Sequence, residues 1–288
     1  MKQIFNEDGL PLNINEIEFL SNKGSEFAVY RYLDSVIKIY KSDYQLSHLS
    51  LEELNILKKI LTQRILLPEE TLWNNSNELI GYKMPYVGGE RSVDGDSVWN
   101  FFRELEILEQ DLDLLRRNSV ILRDINLSNT IYNGHINLID PGNYLIDELD
   151  KVVLSSEMLN TNLIDSSILG QLKKIVIEGS YSSVKTLIDS LSLGERQTIL
   201  NVWNYSKING LINMLLFSNN SNIDPFQYRQ IVNFITRERV ESNSIYSLDV
   251  LKKFFDRDMC VGDAVSDFVK RYVKDEPKER KIFSFYNR

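Results

Sequence analysis

Five residues have types and spacing that could do chemistry together: Lys38, Glu53, Asp124, Asn129 and Asp140. Lys38 sits centrally in the strand-like run VIKIYK, fourteen residues after Gly24, and Glu53 follows it by fifteen. Asp124 and Asn129 stand five apart in DINLSN, and Asp140 comes eleven residues later in LIDPG. The set offers a cation for phosphate oxygens, a carboxylate and an amide able to hold a divalent ion, and a carboxylate to face a hydroxyl. Phosphoryl transfer from ATP asks for that combination, because its catalysis is mostly positioning and charge neutralisation. A glycine between strands, as at Gly24, lets a backbone approach a phosphate. An inward strand lysine paired with a helix glutamate would be held ready for one. Each feature alone has an ordinary reading: a hairpin glycine, an edge lysine, a chance Asp–Asn spacing, a turn aspartate before Pro141 and Gly142. Their order along the chain sets them apart.

The elements that must position these residues follow from periodicity. Runs 17–23 (IEFLSNK) and 27–33 (FAVYRYL) read as a hairpin around Gly24. Run 35–40 (SVIKIY) is a third strand, with Val36, Lys38 and Tyr40 on one face and Ile37 and Ile39 on the other. Leu51, Leu54, Leu57 and Leu61 predict a helix over 50–61, with Ser50 as its N-cap. Strands follow at 70–73 and 79–87, joined through WNNSNE. Gly88 and Gly89 break the pattern. A long helix runs from about Ser97 to Arg117 with Val98, Phe101, Phe102, Leu105, Leu108, Leu112 and Leu115 near one face. A strand over 120–123 and a hairpin over 130–139, turning at Asn133-Gly134, come next. The chain is mostly helical after about 163, and the tail from Lys274 reads as solvated.

Composition excludes several classes. The chain has 288 residues, 43% of them apolar and 26% charged, which is ordinary globular usage with enough length for a full core. The net charge of −8 argues against a nucleic-acid partner. The single cysteine, Cys260, allows neither an internal disulfide nor a multi-cysteine zinc site. The two histidines, His48 and His135, have no metal-ligand spacing. The N-terminus lacks a secretory pattern and no run of 18 apolar residues occurs, so no membrane span and a cytoplasmic location are expected.

Taken together, GSEFAVY, VIK, EELNILKKI, LRDINLSN and DPG resemble, in that order, the signature set of the protein-kinase-like superfamily, as in a divergent bacterial or phage Ser/Thr protein kinase. The resemblance spans about residues 17–175. It implies an α+β, bilobal protein-kinase-like fold: a small N-terminal antiparallel sheet plus one helix over 1–87, then a larger, mainly helical C-terminal lobe over 88–288. It further implies that Lys38 holds the α- and β-phosphates of ATP, oriented by Glu53, beneath the Gly24 loop. Asp124 would orient or deprotonate the acceptor hydroxyl, and Asn129 and Asp140 would bind Mg²⁺. Val29 and Val36 would roof the adenine and Ile131 would floor it. MPYVGG would be the hinge, with Met84 as gatekeeper and the backbone over Pro85, Tyr86 and Val87 facing the adenine edge. Arg123 would contact a phosphorylated or acidic activation-loop residue, with Tyr144, Ser155 and Ser156 as autophosphorylation candidates and Ser155-Ser156-Glu157 echoing the segment that closes that loop. Asp165, opening DSSILG, would begin the large lobe's central helix and brace the catalytic loop.

The pattern also departs from the family. One glycine stands where three are usual, Glu26 adds negative charge, Leu122 replaces the usual histidine, and Pro141 the usual phenylalanine. Asn126 occupies the position that is basic in Ser/Thr protein kinases, and only 25 residues separate Asp140 from Asp165. The implied function is an ATP-dependent phosphotransferase with protein Ser/Thr as the favoured acceptor. A small-molecule kinase of the same fold, and a pseudokinase or ATP-binding scaffold that regulates a partner, stay open beside it, as does a globular protein with accidental motifs.

Overall fold

A computed structural model describes residues 3–22, 26–41, 49–122, 124–140, 145–146, 181–218 and 223–273. Five strands form one antiparallel sheet in the order β1-β2-β3-β5-β4: β1 (Ile17–Ser21), β2 (Phe27–Tyr32), β3 (Ser35–Tyr40), β4 (Glu70–Trp73) and β5 (Leu79–Pro85). One helix, α1 (Leu51–Leu57), is inserted between β3 and β4. The strand period of two assigns the faces. Ile37 and Leu72 are buried with Ile4 on one side of the sheet, where Ile17, Tyr30, Tyr32, Ile39 and Ile80 join them. Phe27, Tyr82 and Met84 belong to the main core on the other side, with Val29, Val36 and Tyr40 packed against it. The N-terminal segment, which the sequence pattern left unassigned, covers the first face: Phe5 exchanges backbone hydrogen bonds of 2.9 Å with Trp73 at the β4 edge.

Helix α1 is shorter than periodicity predicts. Beyond Leu57 the N–H groups of Lys59 and Ile60 bond only three residues back, to Ile56 and Leu57, so the turn tightens. Ile60 then turns inward and Leu61 outward, at 86% exposure. Strand β5 stops at Pro85, which has no N–H for the ladder. The predicted strands over 17–23, 27–33 and 120–123 likewise end early, at Ser21, Tyr32 and Ile121.

The second part begins with α2 (Val98–Arg117), capped by Ser97, whose side chain accepts the Asn100 N–H. Its buried stripe includes Phe101, Leu105, Leu108, Leu112 and Leu115. β6 (Val120–Ile121) pairs with β9 (Leu145–Ile146). β7 (Thr130–Tyr132) and β8 (Ile136–Leu138) form a hairpin. Because Tyr132 faces Ile136, the turn holds three residues, Asn133 to His135, with Gly134 at φ +103. Helices α3 (Tyr181–Ser190), α4 (Leu193–Asn213), α5 (Pro225–Glu241), α6 (Ser247–Phe254) and α7 (Val261–Tyr272) follow. Phe217, Phe255 and Phe268 lie at their shared centre with ring centroids 5.7–6.5 Å apart. The α+β architecture in two lobes is therefore the one expected. Among the described residues no helix is long and apolar enough to cross a membrane.

Two acidic side chains on α2 join the parts. Asp111, 1% exposed, accepts backbone N–H bonds from Gln63 (2.9 Å), Arg64 (2.5 Å) and Ile65 (3.1 Å). Glu104, also 1% exposed, binds the Arg64 guanidinium at 2.5 and 3.1 Å and lies 3.1 Å from His135 Nδ1. The chain that leaves α1 is thereby fixed against the helical lobe.

Candidate functional site

Lys38 is placed by the sheet. It lies in β3 opposite Val29 of β2 and Tyr82 of β5, on the face turned to the helical lobe, and is 5% exposed. Gly81 allows β5 to come this close: a Cβ there would meet the Lys38 carbonyl oxygen at 1.9 Å. Lys38 Nζ lies 2.9 Å from Asp140 Oδ1, donates to the Ile139 carbonyl at 3.3 Å, and sits 5.4 Å from the centre of the Phe27 ring. Burial lowers the lysine below its ordinary pKa of 10.5, while Asp140 and Glu26 pull it upward without cancelling the effect of burial.

The Ile139 backbone joins Lys38 to the other site residues. Its carbonyl accepts from Lys38, and its N–H donates to the Asn129 carbonyl at 2.9 Å. Asp140 follows directly. Asn129 closes a short 3₁₀ turn over Leu127–Asn129 that is capped by Asn126, whose Oδ1 accepts the Asn129 N–H at 3.1 Å and the Ser128 hydroxyl at 2.6 Å. Asn129 Nδ2 donates to Asp124 Oδ2 at 2.9 Å and to the Asp124 carbonyl at 3.1 Å. Asn126 Nδ2 donates to Asp124 Oδ1. Two amides thus hold the exposed Asp124 carboxylate. Lys38, Asp124, Asn129 and Asp140 form one connected cluster between the lobes.

The cluster has a support that sequence reasoning missed. Leu122, 1% exposed, directs its carbonyl to Trp203 on α4, whose indole N–H donates to it at 2.8 Å. The indole braces the strand end just ahead of Asp124. A tryptophan within an apolar helix carries no signal of that role in its spacing.

Glu53 is not brought to Lys38. Helix α1 starts at Leu51, so Glu53 stands in the first turn, where unpaired N–H groups compete for its carboxylate. It accepts the Ser50 N–H at 2.7 Å and returns its own N–H to the Ser50 hydroxyl at 3.2 Å, closing a capping box. Lys38 has Asp140 as its ion-pair partner instead.

The apolar residues assigned to adenine lie on one side of the sheet. Val36 faces Met84 across the β3–β5 ladder, Met84 is 2% exposed, and half-buried Val29, Val36 and Val87 pack against the core there. Ile131, half-buried, faces Asn137 in the β7–β8 hairpin. Tyr86 is held by other contacts. Its N–H donates to the Asp34 carbonyl at 3.0 Å, and the Arg31 guanidinium lies 4.5 Å from its ring centre. Of the hinge backbone, Val87 faces no backbone hydrogen-bond partner among the described residues. Gly24, Arg123, Pro141, Gly142, Tyr144, the segment Ser155–Glu157, Asp165–Gly170, His48 and the tail from Lys274 lie outside the described residues.

The oxygen donors suit Mg²⁺. Asn129 uses its amide nitrogen on Asp124, which leaves the amide oxygen, and Asp140 uses Oδ1 on Lys38. Among the described residues no group of three or more His, Cys, Asp or Glu side chains could hold a metal by itself. Mg²⁺ is commonly bound by one or two protein oxygens together with substrate phosphates and water, so a carboxylate–amide pair fits it.

Three of the solved structures similar to this chain are kinases. The PknI kinase domain of Mycobacterium tuberculosis is 14% identical, covering 66% of this chain and 96% of that one, with a TM-score of 0.35. The autoinhibited serine kinase domain of the giant muscle protein titin is 13% identical, with coverages of 89% and 81% and a TM-score of 0.44. The kinase PK-1 of Cydia pomonella granulovirus is 13% identical, with coverages of 69% and 90% and a TM-score of 0.38. No protein-family model and no curated protein sequence matches the chain. The bilobal, protein-kinase-like fold rests on the element order itself, a five-stranded sheet with one inserted helix ahead of a helical lobe that carries the β7–β8 hairpin.

Proposed function

We propose that this protein transfers the γ-phosphate of ATP to a hydroxyl group, with Ser or Thr of a protein as the favoured acceptor. The observation that carries this reading is the buried Lys38, paired directly with Asp140 across the cleft and donating to the carbonyl of Ile139, whose N–H binds Asn129. A sheet lysine 5% exposed is costly to bury, and a cleft that collects anions gives it a use. In this reading residues 1–87 form the nucleotide lobe and 88–288 the catalytic lobe. Lys38 neutralises the α- and β-phosphates. Asn129 and Asp140 hold Mg²⁺, which when bound would offset charge on the phosphate oxygens. The acceptor oxygen attacks the γ-phosphorus, the bond to ADP breaks with its electron pair leaving on ADP, and the hydroxyl proton passes to Asp124. Val29, Val36, Met84, Val87 and Ile131 enclose the adenine.

One observation favours a small-molecule acceptor as the second reading. Asn126 stands where a cation would face a peptide substrate, yet both ends of its amide are bound within its own loop. Intact mass after incubation with Mg-ATP, alone and with a mixed protein acceptor, tests the proposal beside Asp124→Ala. Phosphate adducts on the protein or acceptor that vanish in the variant are expected. Nucleotide binding by calorimetry with no transfer to any acceptor, protein or small alcohol, overturns the enzyme and leaves a scaffold.

A further inference from the structure

Between α2 and α4, Arg116, Arg117, Ser119, Ile121, Arg196 and Gln197 line a cavity of about 240 Å³ with Leu193 and Leu200. It joins the C-terminal turn of α2 to the first turns of α4. Three guanidiniums converge there in a chain of net charge −8. Asp113 is their one carboxylate partner among the described residues, shared by Arg116 and by Arg117 (2.5 Å). Among the described residues Arg196 has only the Leu191 carbonyl, at 3.4 Å. The Ser119 hydroxyl and the Gln197 amide make no hydrogen bond among the described residues. Arg196 also stands four residues into α4, where the helix dipole disfavours a cation. Beside these charges Leu193 is 70% exposed.

We propose that this cavity binds a phosphorylated serine or threonine of a peptide, the phosphate on Arg117 and Arg196 and a neighbouring apolar residue on Leu193. Guanidiniums take phosphate oxygens in pairs, and clusters of arginine are a recurring means of reading phosphopeptides. Two arginines sharing one carboxylate, with a third beside them, leave net positive charge. Ser119 and Gln197 supply neutral donors at the same opening, and the exposed leucine supplies the apolar contact that a bare anion site has no need of. The site is independent of phosphoryl transfer, since none of its residues belongs to the cleft.

The test is fluorescence anisotropy on the full chain, with a labelled peptide carrying one phosphoserine followed by leucine. The same peptide unphosphorylated, inorganic phosphate as competitor, and vesicles containing anionic lipid complete the set. Expected is binding at least tenfold tighter for the phosphopeptide than for its unphosphorylated form, reduced tenfold or more in Arg196→Ala and in Arg117→Glu. Leu193→Ser should weaken the peptide several-fold without changing competition by free phosphate. Thermal unfolding of the variants separates lost binding from lost folding; Arg117, with its side chain 65% exposed, is the safer of the two. Equal affinity for peptide and inorganic phosphate, binding to vesicles alone, or phosphopeptide binding indifferent to both arginines each overturns the proposal.

Discussion

Replacing Lys38 by methionine should separate function from stability. Lys38 is 5% exposed and its charge is disfavoured by burial, whereas the Asp140 side chain, at 39% exposure, can be solvated once the ammonium is gone. Replacing both members of a buried ion pair by apolar side chains is neutral or stabilising by roughly 1–4 kcal/mol, whereas stranding one buried charge costs about 3–5 kcal/mol. The 39% exposure of Asp140 lets water take up its charge and keeps Lys38→Met near the first case. The Ile139 carbonyl loses one donor, a loss of about 1 kcal/mol. The net expectation is a variant between equally stable and about 2 kcal/mol more stable, while phosphate transfer falls by on the order of 10²–10³. Urea unfolding with an unchanged m-value reads the first and the mass assay the second. The pH dependence has a definite sign. The folded-state pKa lies below the ordinary 10.5, so between those two values the unfolded chain holds more protons and wild-type stability rises with pH. The advantage of Lys38→Met should therefore shrink as pH approaches 10.5. A variant destabilised by more than about 2 kcal/mol at neutral pH, or an advantage unchanged up to that pH, refutes the view that Lys38 is held in place at a stability cost.

Trp203→Phe should leave the buried Leu122 carbonyl without its donor, destabilise by about 1–3 kcal/mol, and lower kcat more than it raises the KM for ATP, as steady-state kinetics would show. Asp111→Asn keeps the shape but removes the charge that three backbone N–H groups share; about 1 kcal/mol per bond gives a loss of about 3 kcal/mol in urea unfolding. Glu104 is held below its ordinary 4.5: burial alone would raise it, but the bonds from Arg64 and His135 prevail. Its contribution is therefore complete above pH 4.5 and lost as pH falls through the lower folded value, so Arg64→Met should unfold at a higher pH in an acid titration.

Local rules made much of this molecule legible. The alternation of Val36, Lys38 and Tyr40 against Ile37 and Ile39 grouped the lysine with Val36 and Tyr40, because a strand offers only two faces, and the structure turns that face to the helical lobe. The leucine stripe over 97–117 and the Asn133-Gly134 turn could be read for the same reason. Asp124, Asn129 and Asp140 could be picked out because their order is rarer than any one of them. What stayed hidden depends on partners distant in sequence. Asp111 and Glu104 look like solvated helix acids, and nothing within α2 says that the chain near Arg64 will come to meet them. Glu53 has the right spacing for Lys38, but the start of its own helix claims its carboxylate. The β-bridge formed by Phe5 needs Trp73 at the edge of β4, sixty-eight residues away, to exist at all.

Two contacts between the lobes land on the same hairpin. The chain leaving α1 bonds to β8, with Leu138 N–H to the Arg64 carbonyl at 2.7 Å and Leu66 N–H to the Leu138 carbonyl at 2.9 Å. The hinge chain bonds to the opposite side, with Arg91 N–H to the Tyr132 carbonyl at 2.7 Å and Asn133 Nδ2 to the Gly88 carbonyl at 3.2 Å. Two anchorages on one rigid body define a line. The sheet can rock about that line, but twisting across it would break one anchorage. Asp140 follows the end of β8 by two residues, on the hairpin that carries both anchorages, so its lever arm is short. Rocking therefore displaces the outer strands far more than it separates Lys38 from Asp140, and the mouth of the cleft can change width while its ion pair stays closed.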